Sequence, residues 1–283
     1  MITVAHISEV RSHVAAARRE GKTVGFVPTM GYLHDGHCSL IRRAKEAHGF
    51  VVLSIFVNPT QFAPTEDLDR YPRDLERDAR LAREAGCDLI FVPPVEEMYP
   101  AGFSTVVGVD GLSSVLEGEF RPTHFKGVTT VVMKLINIVG ADTVYFGQKD
   151  AQQSVIIRRM AEDLNIPGRI EIVPTMREPD GLAMSSRNVY LTPEQRANAP
   201  VLYRALQLAQ QQAVSGERNA QRIIDAMRSL ILQHGPTQID YIRIVGAADL
   251  QDRPVLTPGE TVLVPLAVRF GTTRLIDNIV FTM

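Results

Sequence analysis

The sequence predicts an α/β protein in which a doubly wound parallel sheet is followed by a smaller α+β domain at the C-terminus. In the first part of the chain, short apolar runs alternate with helical patterns, and these runs are rich in Val, Ile and Phe. Nearly continuous apolar strands are typical of parallel sheets that helices cover on both faces. Repeated strand–helix–strand units predict right-handed crossovers. The alternation stops after about residue 193, which indicates a second domain.

The N-terminal part contains five predicted strands and four predicted helices. The strands are predicted at 24–28, 51–57, 89–93, 143–147 and 170–174. The helices are predicted at 36–48, 74–86, 128–139 and 152–165. Sheets of this kind bind ligands beyond the carboxyl ends of their strands, near the point where the strand order reverses.

The C-terminal part has a different pattern, with helices first and strands afterwards. Two amphipathic helices are predicted at 193–215 and 220–233, followed by strands at 239–245, 261–268 and 274–281. Strands that follow helices without alternation favour an α+β domain. We therefore predict a ligand-binding domain over 1–177 and a smaller domain over 178–283.

Composition excludes several classes of protein. The 283 residues include 30 Lys and Arg against 32 Asp and Glu, a balance that argues against a general nucleic-acid binder. The N-terminus lacks the apolar core of a signal peptide, and no apolar run approaches the ~20 residues that span a bilayer. Cys38 and Cys87 form no CxxC pair, so neither a disulfide scaffold nor a zinc ribbon is expected. We expect a cytoplasmic protein with no membrane partner, and Cys38 as a packed small residue.

The first candidate motif, PTMGYLHDGH at 28–37, follows the first predicted strand and opens a predicted helix. His34 and His37 share a helix face at this spacing, and Gly36 lets a ligand approach the backbone. A helix start offers free N–H groups and a positive dipole end, which favour phosphate. Two imidazoles there can donate hydrogen bonds to a phosphoryl group in an in-line displacement. A histidine pair without a ligand is the alternative, and a zinc site is disfavoured because further ligands are missing.

The second candidate, GQKD at 147–150, lies between the fourth strand and the next helix. Gly147 permits close approach, and Lys149 suits a phosphate oxygen. Asp150 can cap the helix or accept hydrogen bonds from a ribose. An ordinary strand-to-helix turn also accounts for this pattern and, taken alone, is the better explanation.

Three further segments carry polar or cationic groups. MSSR at 184–187 offers two hydroxyls and a guanidinium for phosphates, on a loop predicted to be mobile. Gln61 follows the second strand and Gln153 lies in the helix after Lys149, so both can meet a polar substrate. The basic turn 121–126 binds phosphate or is simply exposed to solvent. Taken alone, the 184–187 segment is better explained as a polar linker, and the two glutamines and the basic turn are explained equally well as exposed surface.

The joint placement of these motifs is more informative. Four follow successive predicted strands, so the fold brings two histidines, a lysine and an arginine to one sheet edge, as a triphosphate requires. No GxxxxGK[ST], GxGxxG or GxSxG pattern occurs, which argues against P-loop hydrolases, dinucleotide dehydrogenases and α/β-hydrolases.

The motifs in this order resemble one family closely. PTMGYLHDGH resembles the HxGH element of the nucleotidylyltransferase superfamily. Together with SIFVNPTQF, RYPRDLERD, RPTHFKGV, FGQKDAQQ, DGLAMSSRN and RLIDN, it is similar to the pantothenate synthetase (pantoate–β-alanine ligase) family. The resemblance covers most of the chain. It implies a Rossmann-like N-terminal domain, a homodimer and an AMP-forming ligase of the coenzyme A pathway. In this reaction pantoate and Mg²⁺-bound ATP give pantoyl adenylate and pyrophosphate, and β-alanine then displaces AMP.

The resemblance also implies residue roles. His37 matches the position of a proton donor, and His34, Lys149 and Arg187 act with it on the phosphates. Gln61 and Gln153 match the pantoate-contacting glutamines, and Gln61 is also placed near β-alanine. The residues that match ATP-binding positions are Met30, Gly31, Tyr32, Leu33, His34, Asp35, Gly36, His37, Gly147, Gln148, Lys149, Asp150, Met176, Met184, Ser185, Ser186 and Arg187. No residue is assigned as a metal ligand.

One position departs from the family pattern, because Gln148 stands where Glu is common. The amide removes a negative charge near the triphosphate, which puts ATP affinity in doubt. The alternatives are another nucleotidylyltransferase, a tRNA binder related to class I aminoacyl-tRNA synthetases, and a non-catalytic ATP-binding regulator. The first forms a product that contains the nucleotide, the second needs RNA, and the third binds ATP without turnover.

Overall fold

The computed structural model describes residues 1–64 and 66–283. Over these residues the chain forms two compact units. The first contains residues 1–147 and 156–173, and the second contains 148–155 and 174–283.

The first unit is built on a six-stranded parallel sheet. Its strands are β1 (Ile2–Val4), β2 (Val24–Thr29), β3 (Phe50–Ile55), β4 (Leu89–Phe91), β5 (Thr143–Gly147) and β6 (Arg169–Val173). The strand order is β1-β4-β3-β2-β5-β6, and every pair is parallel. The order therefore reverses between β2 and β5, which confirms the doubly wound sheet and places the switch point at their ends.

Helices alternate with these strands along the chain. They are α1 (Ile7–Arg19), α2 (Asp35–Ala47), α3 (Leu75–Glu84), α4 (Val95–Met98), α5 (Glu117–Phe120), α6 (His124–Val139) and α7 (Ala151–Asp163). Short 3-10 helices follow β3 and β5, at Pro59–Gln61 and Gln148–Asp150. Apolar clusters lie on both faces of the sheet, one around Phe26 and Phe91 and one around Val27 and Ile90. Burial on both faces explains why these strands are continuously apolar.

The second unit packs helices against an antiparallel sheet. Its helices are α8 (Pro193–Asn198), α9 (Val201–Val214) and α10 (Ala220–Leu232), with a 3-10 helix at Ser186–Tyr190. Its strands are β7 (Gln238–Ile242), β8 (Val245–Gly246), β9 (Thr261–Phe270) and β10 (Thr273–Thr282). β9 is central and pairs with β7, β8 and β10. Its apolar side chains pack with α9 and α10 in one core, which confirms the α+β class.

Several details differ from the prediction, and the single strand predicted at 239–245 is wrong because it is divided into β7 and β8. The single helix predicted at 193–215 is wrong: it is divided into α8 and α9 at Pro200, whose ring cannot continue a helix. α6 begins at His124, four residues before the predicted start at 128. β1 and α1 were not predicted, because a three-residue strand leaves little periodic signal.

Both cysteines are packed in the core of the first unit, as expected for Cys38. Cys38 and Cys87 are buried. Burial raises the pKa of the Cys38 thiol and raises that of Cys87 to about 12. Neither has the thiolate character that nucleophilic catalysis requires. Among the described residues, no helix has the length and apolarity needed to cross a bilayer.

Candidate functional site

The turn after β2 has a strained backbone that a buried carboxylate holds in place. Gly31 has φ +85° and Tyr32 has φ +49°, in the left-handed region that non-glycine residues seldom occupy. A Cβ at position 31 would lie 2.8 Å from Ile55 Cγ2 and 3.1 Å from Asp78 Oδ2. The two oxygens of Asp78, a residue that is 1% exposed, accept hydrogen bonds from the N–H groups of Tyr32 and Leu33, both at 2.7 Å.

Arg77 supports the same turn from α3. Its Nη1 donates to the Leu33 carbonyl oxygen at 2.8 Å, and its guanidinium carbon lies 5.1 Å from the centroid of the Tyr32 ring. Burial raises the pKa of Asp78, while the two N–H groups and Arg77 oppose that rise. Adjacent residues of one helix thus hold both the N–H and the carbonyl side of the turn.

His34 and His37 lie side by side at the start of α2. His34 is the N-cap, and its Nδ1 accepts a hydrogen bond from Gly36 N–H at 3.1 Å. His37 Nδ1 accepts one from His34 N–H at 3.3 Å. The ring centroids are 4.1 Å apart, with a 40° angle between the planes. Since an accepting ring nitrogen carries no proton, each neutral ring has its N–H at Nε2.

This geometry is chemically suited to a phosphoryl group. The Nδ1 contacts fix the orientation of both rings, so the two Nε2–H donors are fixed before a ligand binds. The start of α2 adds the positive end of a helix dipole. Donors oriented in advance stabilise charge that develops in a transition state without further reorganisation.

A second group of polar residues surrounds Gln61, directly after β3. Asn58 Nδ2 donates to Gln61 Oε1 at 3.1 Å and to the Gly127 carbonyl oxygen at 3.2 Å. Tyr99 O–H donates to Asn58 Oδ1 at 2.8 Å. Gln61 Nε2 donates to Met30 Sδ at 3.2 Å. Because a thioether is a weak acceptor, a substrate oxygen can replace it as the partner of this N–H.

The basic turn 121–126 supports Gln61 from the other side. Arg121 donates two hydrogen bonds to the carboxylate of Glu66, and its Nη2 reaches the Gln61 carbonyl oxygen at 3.3 Å. His124 Nδ1 donates to the same oxygen at 3.0 Å. Burial and the charge of Arg121 lower the pKa of His124 to about 4. Burial would raise the pKa of Glu66, but Arg121 lowers it below the ordinary value.

In the second unit, the turn with Lys149 is bonded to the C-terminal strand. Asn278 on β10 donates from Nδ2 to the main-chain oxygens of Gln148 and Lys149, at 2.9 and 2.8 Å. Lys149 Nζ lies 3.4 Å from Asp150 Oδ1. Gln153 is half-buried in the first turn of α7. The main chain of the turn is thus held by a side chain that lies far away in sequence.

The segment with the remaining predicted ATP contacts is ordered by its own hydrogen bonds. Met176 accepts at its main-chain oxygen from Met184 N–H at 3.0 Å, which closes a tight hairpin. Ser185 is the N-cap of the following 3-10 helix, where its Oγ accepts from Arg187 N–H at 3.3 Å. Met176 remains 40% exposed, which suits contact with a flat ligand.

The structure brings together some of the predicted residues within each unit. His34 and His37 meet in the first unit, and Gln61 lies in a second polar group there. Lys149, Gln153, Met176 and Arg187 belong to the second unit. A single pocket formed by the imidazoles and these cations stays a prediction. Across 1–64 and 66–283, no group of three or more His, Cys, Asp or Glu side chains could hold a metal ion.

Sequence reasoning missed three residues that shape these sites. Asn58 and Asp78 stand inside quoted motifs, and Asn278 stands in RLIDN, but none was selected. Asn58 directly follows β3, a position that could have singled it out. Asp78 and Asn278 act on main-chain groups 45 and 129 residues away, so no local pattern reveals them.

Comparisons with known proteins agree on one family. A family model described as pantoate-beta-alanine ligase matches residues 2–280. Pantothenate synthetase of Moorella thermoacetica is 56% identical over 274 residues, covering 97% of this chain and 96% of the relative. That of Caldicellulosiruptor saccharolyticus is 52% identical over 280 residues, covering 99% of each chain.

Solved structures agree as well. The crystal structure of pantothenate synthetase from Thermus thermophilus matches with a TM-score of 0.92 and 49% identity over 99% of both chains. Pantoate-beta-alanine ligase from Francisella tularensis, solved with beta-gamma ATP and beta-alanine, matches with a TM-score of 0.80 and 33% identity. That match covers 99% of this chain and 97% of the Francisella chain.

Proposed function

Because the chain belongs to the pantoate–β-alanine ligase family, we propose that it joins pantoate to β-alanine through a pantoyl adenylate, with release of AMP and pyrophosphate. The observation that carries this proposal is the pair of oriented imidazoles at the start of α2, next to the switch point of the sheet. The Francisella relative, solved in complex with beta-gamma ATP and beta-alanine, supports the choice of substrates.

In the first step, a pantoate carboxylate oxygen attacks the α-phosphorus of ATP. The new P–O bond forms as the bond to the β-phosphate breaks, and pyrophosphate leaves. The Nε2–H groups of His34 and His37 donate to phosphate oxygens, and His37 supplies the proton-donor function. No side-chain nucleophile is needed, because ATP itself provides the activation.

The cations of the second unit complete the ATP contacts. Lys149 and Arg187 neutralise the β- and γ-phosphates and the departing pyrophosphate. Met176 contacts the adenine. Met30–His37, Gly147–Asp150 and Met184–Arg187 supply the remaining contacts, and the last segment closes over the phosphates to exclude water from the adenylate.

Pantoate lies against Gln61 and Gln153 in this proposal. Gln61 Nε2 exchanges its weak Met30 Sδ partner for a pantoate oxygen, while Asn58 keeps hold of Gln61 Oε1. In the second step, the β-alanine amine attacks the acyl carbon, the bond to AMP breaks, and the amine loses a proton. Gln61 is placed to contact β-alanine as well.

Mg²⁺ enters as the Mg·ATP substrate complex, held mainly by phosphate oxygens and water, as is usual for this ion. Gln148 leaves the turn intact but removes the negative charge that Glu would bring. A cytoplasmic homodimer is expected from the family resemblance, and light scattering of the purified protein tests the dimer.

Substitution of His37 tests the imidazole role. His37→Asn keeps an acceptor near the Nδ1 position for the His34 N–H and removes the Nε2–H donor. We expect at least about a tenfold loss of adenylate formation with an unchanged fold, since transition-state donors contribute this much or more. Lys149→Ala should behave similarly, and His13→Asn on α1 is the matched control. Near-normal pyrophosphate release in His37→Asn would contradict the assignment.

Product analysis tests the reaction as a whole. ATP, pantoate and β-alanine are supplied together and then each is omitted in turn. Pyrophosphate should require ATP and pantoate, and pantothenate should require all three. A nucleotide-containing final product would favour another nucleotidylyltransferase, RNA-dependent turnover a tRNA-acting enzyme, and ATP binding without turnover a regulator.

A further inference from the structure

The C-terminal strand carries two adjacent polar residues that are buried. Asp277 and Asn278 of β10 are each 3% exposed. Most polar side chains at this depth are hydrogen-bonded. Both residues belong to RLIDN, a motif to which the proposed reaction assigns no role. The hydrogen bonds that connect them to Gln148, Lys149 and Arg177 lie within the second unit.

Asn278 uses both protons of its amide on one turn. Its Nδ2 donates to the main-chain oxygen of Gln148 at 2.9 Å and to the main-chain oxygen of Lys149 at 2.8 Å. In turn, Gln148 Nε2 donates to Asn278 Oδ1 at 3.5 Å. Two donors from one rigid amide fix the main chain at two consecutive residues, and with it the direction in which the Lys149 side chain leaves.

Asn278 is itself held by an ion pair between Arg177 and the buried carboxylate of Asp277. The main-chain N–H of Asn278 donates to Asp277 Oδ1 at 2.7 Å. Arg177 donates to both oxygens of Asp277, at 2.6 and 3.0 Å, and more weakly to the Asn278 main-chain oxygen at 3.4 Å. The guanidinium stacks on Tyr203, with its carbon 3.8 Å from the ring centroid. Bidentate, stacked arginine is rigid, so it provides a fixed reference for the amide.

The same arginine restrains the hairpin that precedes the 184–187 segment. Arg177 Nη1 donates to the Gly181 oxygen at 3.2 Å, and Arg177 and Ala183 form a β-bridge. Gly181 has φ +95°, and a Cβ there would lie 2.7 Å from Tyr203 Cδ1. One network therefore contacts the turn with Lys149 and the hairpin that leads to Arg187.

We propose that Asn278, oriented by the Asp277–Arg177 pair, is a positioning residue that sets the direction of the Lys149 ammonium toward the phosphates of ATP. This inference rests on the proposed function, because it concerns the same first step. Lys149 has a long flexible stem, so the protein can direct its ammonium mainly by fixing the main chain from which it extends. Asn278 contacts no substrate in this proposal and acts only through that turn.

The test measures the two half-reactions separately. Pantoate-dependent pyrophosphate–ATP exchange reports adenylate formation, and β-alanine added to preformed pantoyl adenylate reports acyl transfer. Asn278→Asp is isosteric but turns an oxygen toward the two carbonyl oxygens, and Asn278→Ala removes the contact without that repulsion. We expect about a tenfold loss of kcat for exchange in both, because displacement of a phosphate-directed group is costly, and less than about a threefold change in acyl transfer.

A double substitution tests whether Asn278 acts through Lys149. If it does, Asn278→Ala should change exchange less than about twofold in a Lys149→Ala background. Ile231→Ala, a substitution in the core of the same unit, is the control for any loss of stability that Asn278→Ala causes. It should lower the rates of both half-reactions equally, because it lowers only the fraction of folded protein.

Two results would overturn the inference while leaving the proposed function intact. One is an equal loss in both half-reactions for Asn278→Ala, as in the Ile231→Ala control. The other is multiplication of the Asn278→Ala and Lys149→Ala losses in the double variant. Absence of pantoate-dependent exchange in the unsubstituted protein would instead overturn the proposed function, and the inference with it.

Discussion

Replacement of Asp78 by Asn tests how the first unit positions its histidines. The carboxylate accepts from two main-chain N–H groups at 2.7 Å, those of Tyr32 and Leu33, immediately before His34. An Asn side chain has one acceptor oxygen, so its NH₂ group must face the second N–H. The substitution keeps the volume of the side chain and changes only its hydrogen bonding and charge.

The magnitude follows from the unsatisfied donor. A buried donor without a partner costs roughly 1–3 kcal/mol, and loss of the charge on the remaining hydrogen bond adds about 1 kcal/mol. Burial raises the pKa of Asp78, so removal of the buried charge returns part of this. We expect a net loss of about 2 kcal/mol in the free energy of unfolding, or about 3–4 °C in Tm for a protein of this size. Displacement of the turn should also slow adenylate formation roughly tenfold or more.

The assay combines thermal unfolding with pantoate-dependent pyrophosphate–ATP exchange. Asp74→Asn is the matched control, because Asp74 caps the same helix with its carboxylate and Asn is an equally good N-cap. The control should leave Tm and exchange nearly unchanged. If Asp78→Asn behaves like Asp74→Asn in both assays, the carboxylate does not hold the turn and this reasoning is refuted.

Three further predictions concern packing, pH and metal. Gly127→Ala places a Cβ 2.5 Å from the Thr60 main-chain oxygen, so chemical unfolding should show a free energy of unfolding about 2 kcal/mol lower, and kinetics should show a raised KM for pantoate. Gly108→Ala is the control, because a Cβ there meets nothing within 4 Å. Equal behaviour of the two variants would contradict the packing argument. The pKa of His124 is lowered to about 4 in the folded protein, whereas an unfolded histidine has a pKa of about 6.5. As the pH falls below 6.5, His124 therefore binds a proton in the unfolded chain before it does so in the folded protein. Stability should then fall by about 3 kcal/mol between pH 6.5 and 4, and an equally steep loss in His124→Gln, measured by urea unfolding, would rule this group out. Chelation of Mg²⁺ should abolish exchange without changing Tm in the absence of ATP, because in the proposed reaction Mg²⁺ enters with ATP. A lower Tm after chelation would indicate a resident metal.

Much of the first unit could be predicted because its determinants are local. The apolar runs of β2, β3 and β5 appear directly in the sequence, and the doubly wound topology follows from their alternation with helices. The position of His34 and His37 was predictable for the same reason, since an i, i+3 pair at a helix start needs no distant partner.

The residues that orient this chemistry were less accessible. The carboxylate of Asp78 and the amide of Asn278 bond to main-chain groups, which carry no sequence signal of their own. Arg121 was ambiguous because its partner, Glu66, lies 55 residues earlier. The break at Pro200 has a local cause in the sequence, but the prediction of one helix followed the amphipathic pattern and overlooked the proline.

The most direct test of the central claim follows an oxygen atom from pantoate. Pantoate labelled with oxygen-18 in its carboxylate is converted together with Mg·ATP and β-alanine, and the AMP is analysed by mass spectrometry. An adenylate intermediate requires one labelled oxygen to remain on the AMP phosphate, because the acyl C–O bond breaks when the amine attacks. Unlabelled AMP, or label in inorganic phosphate, would contradict this mechanism.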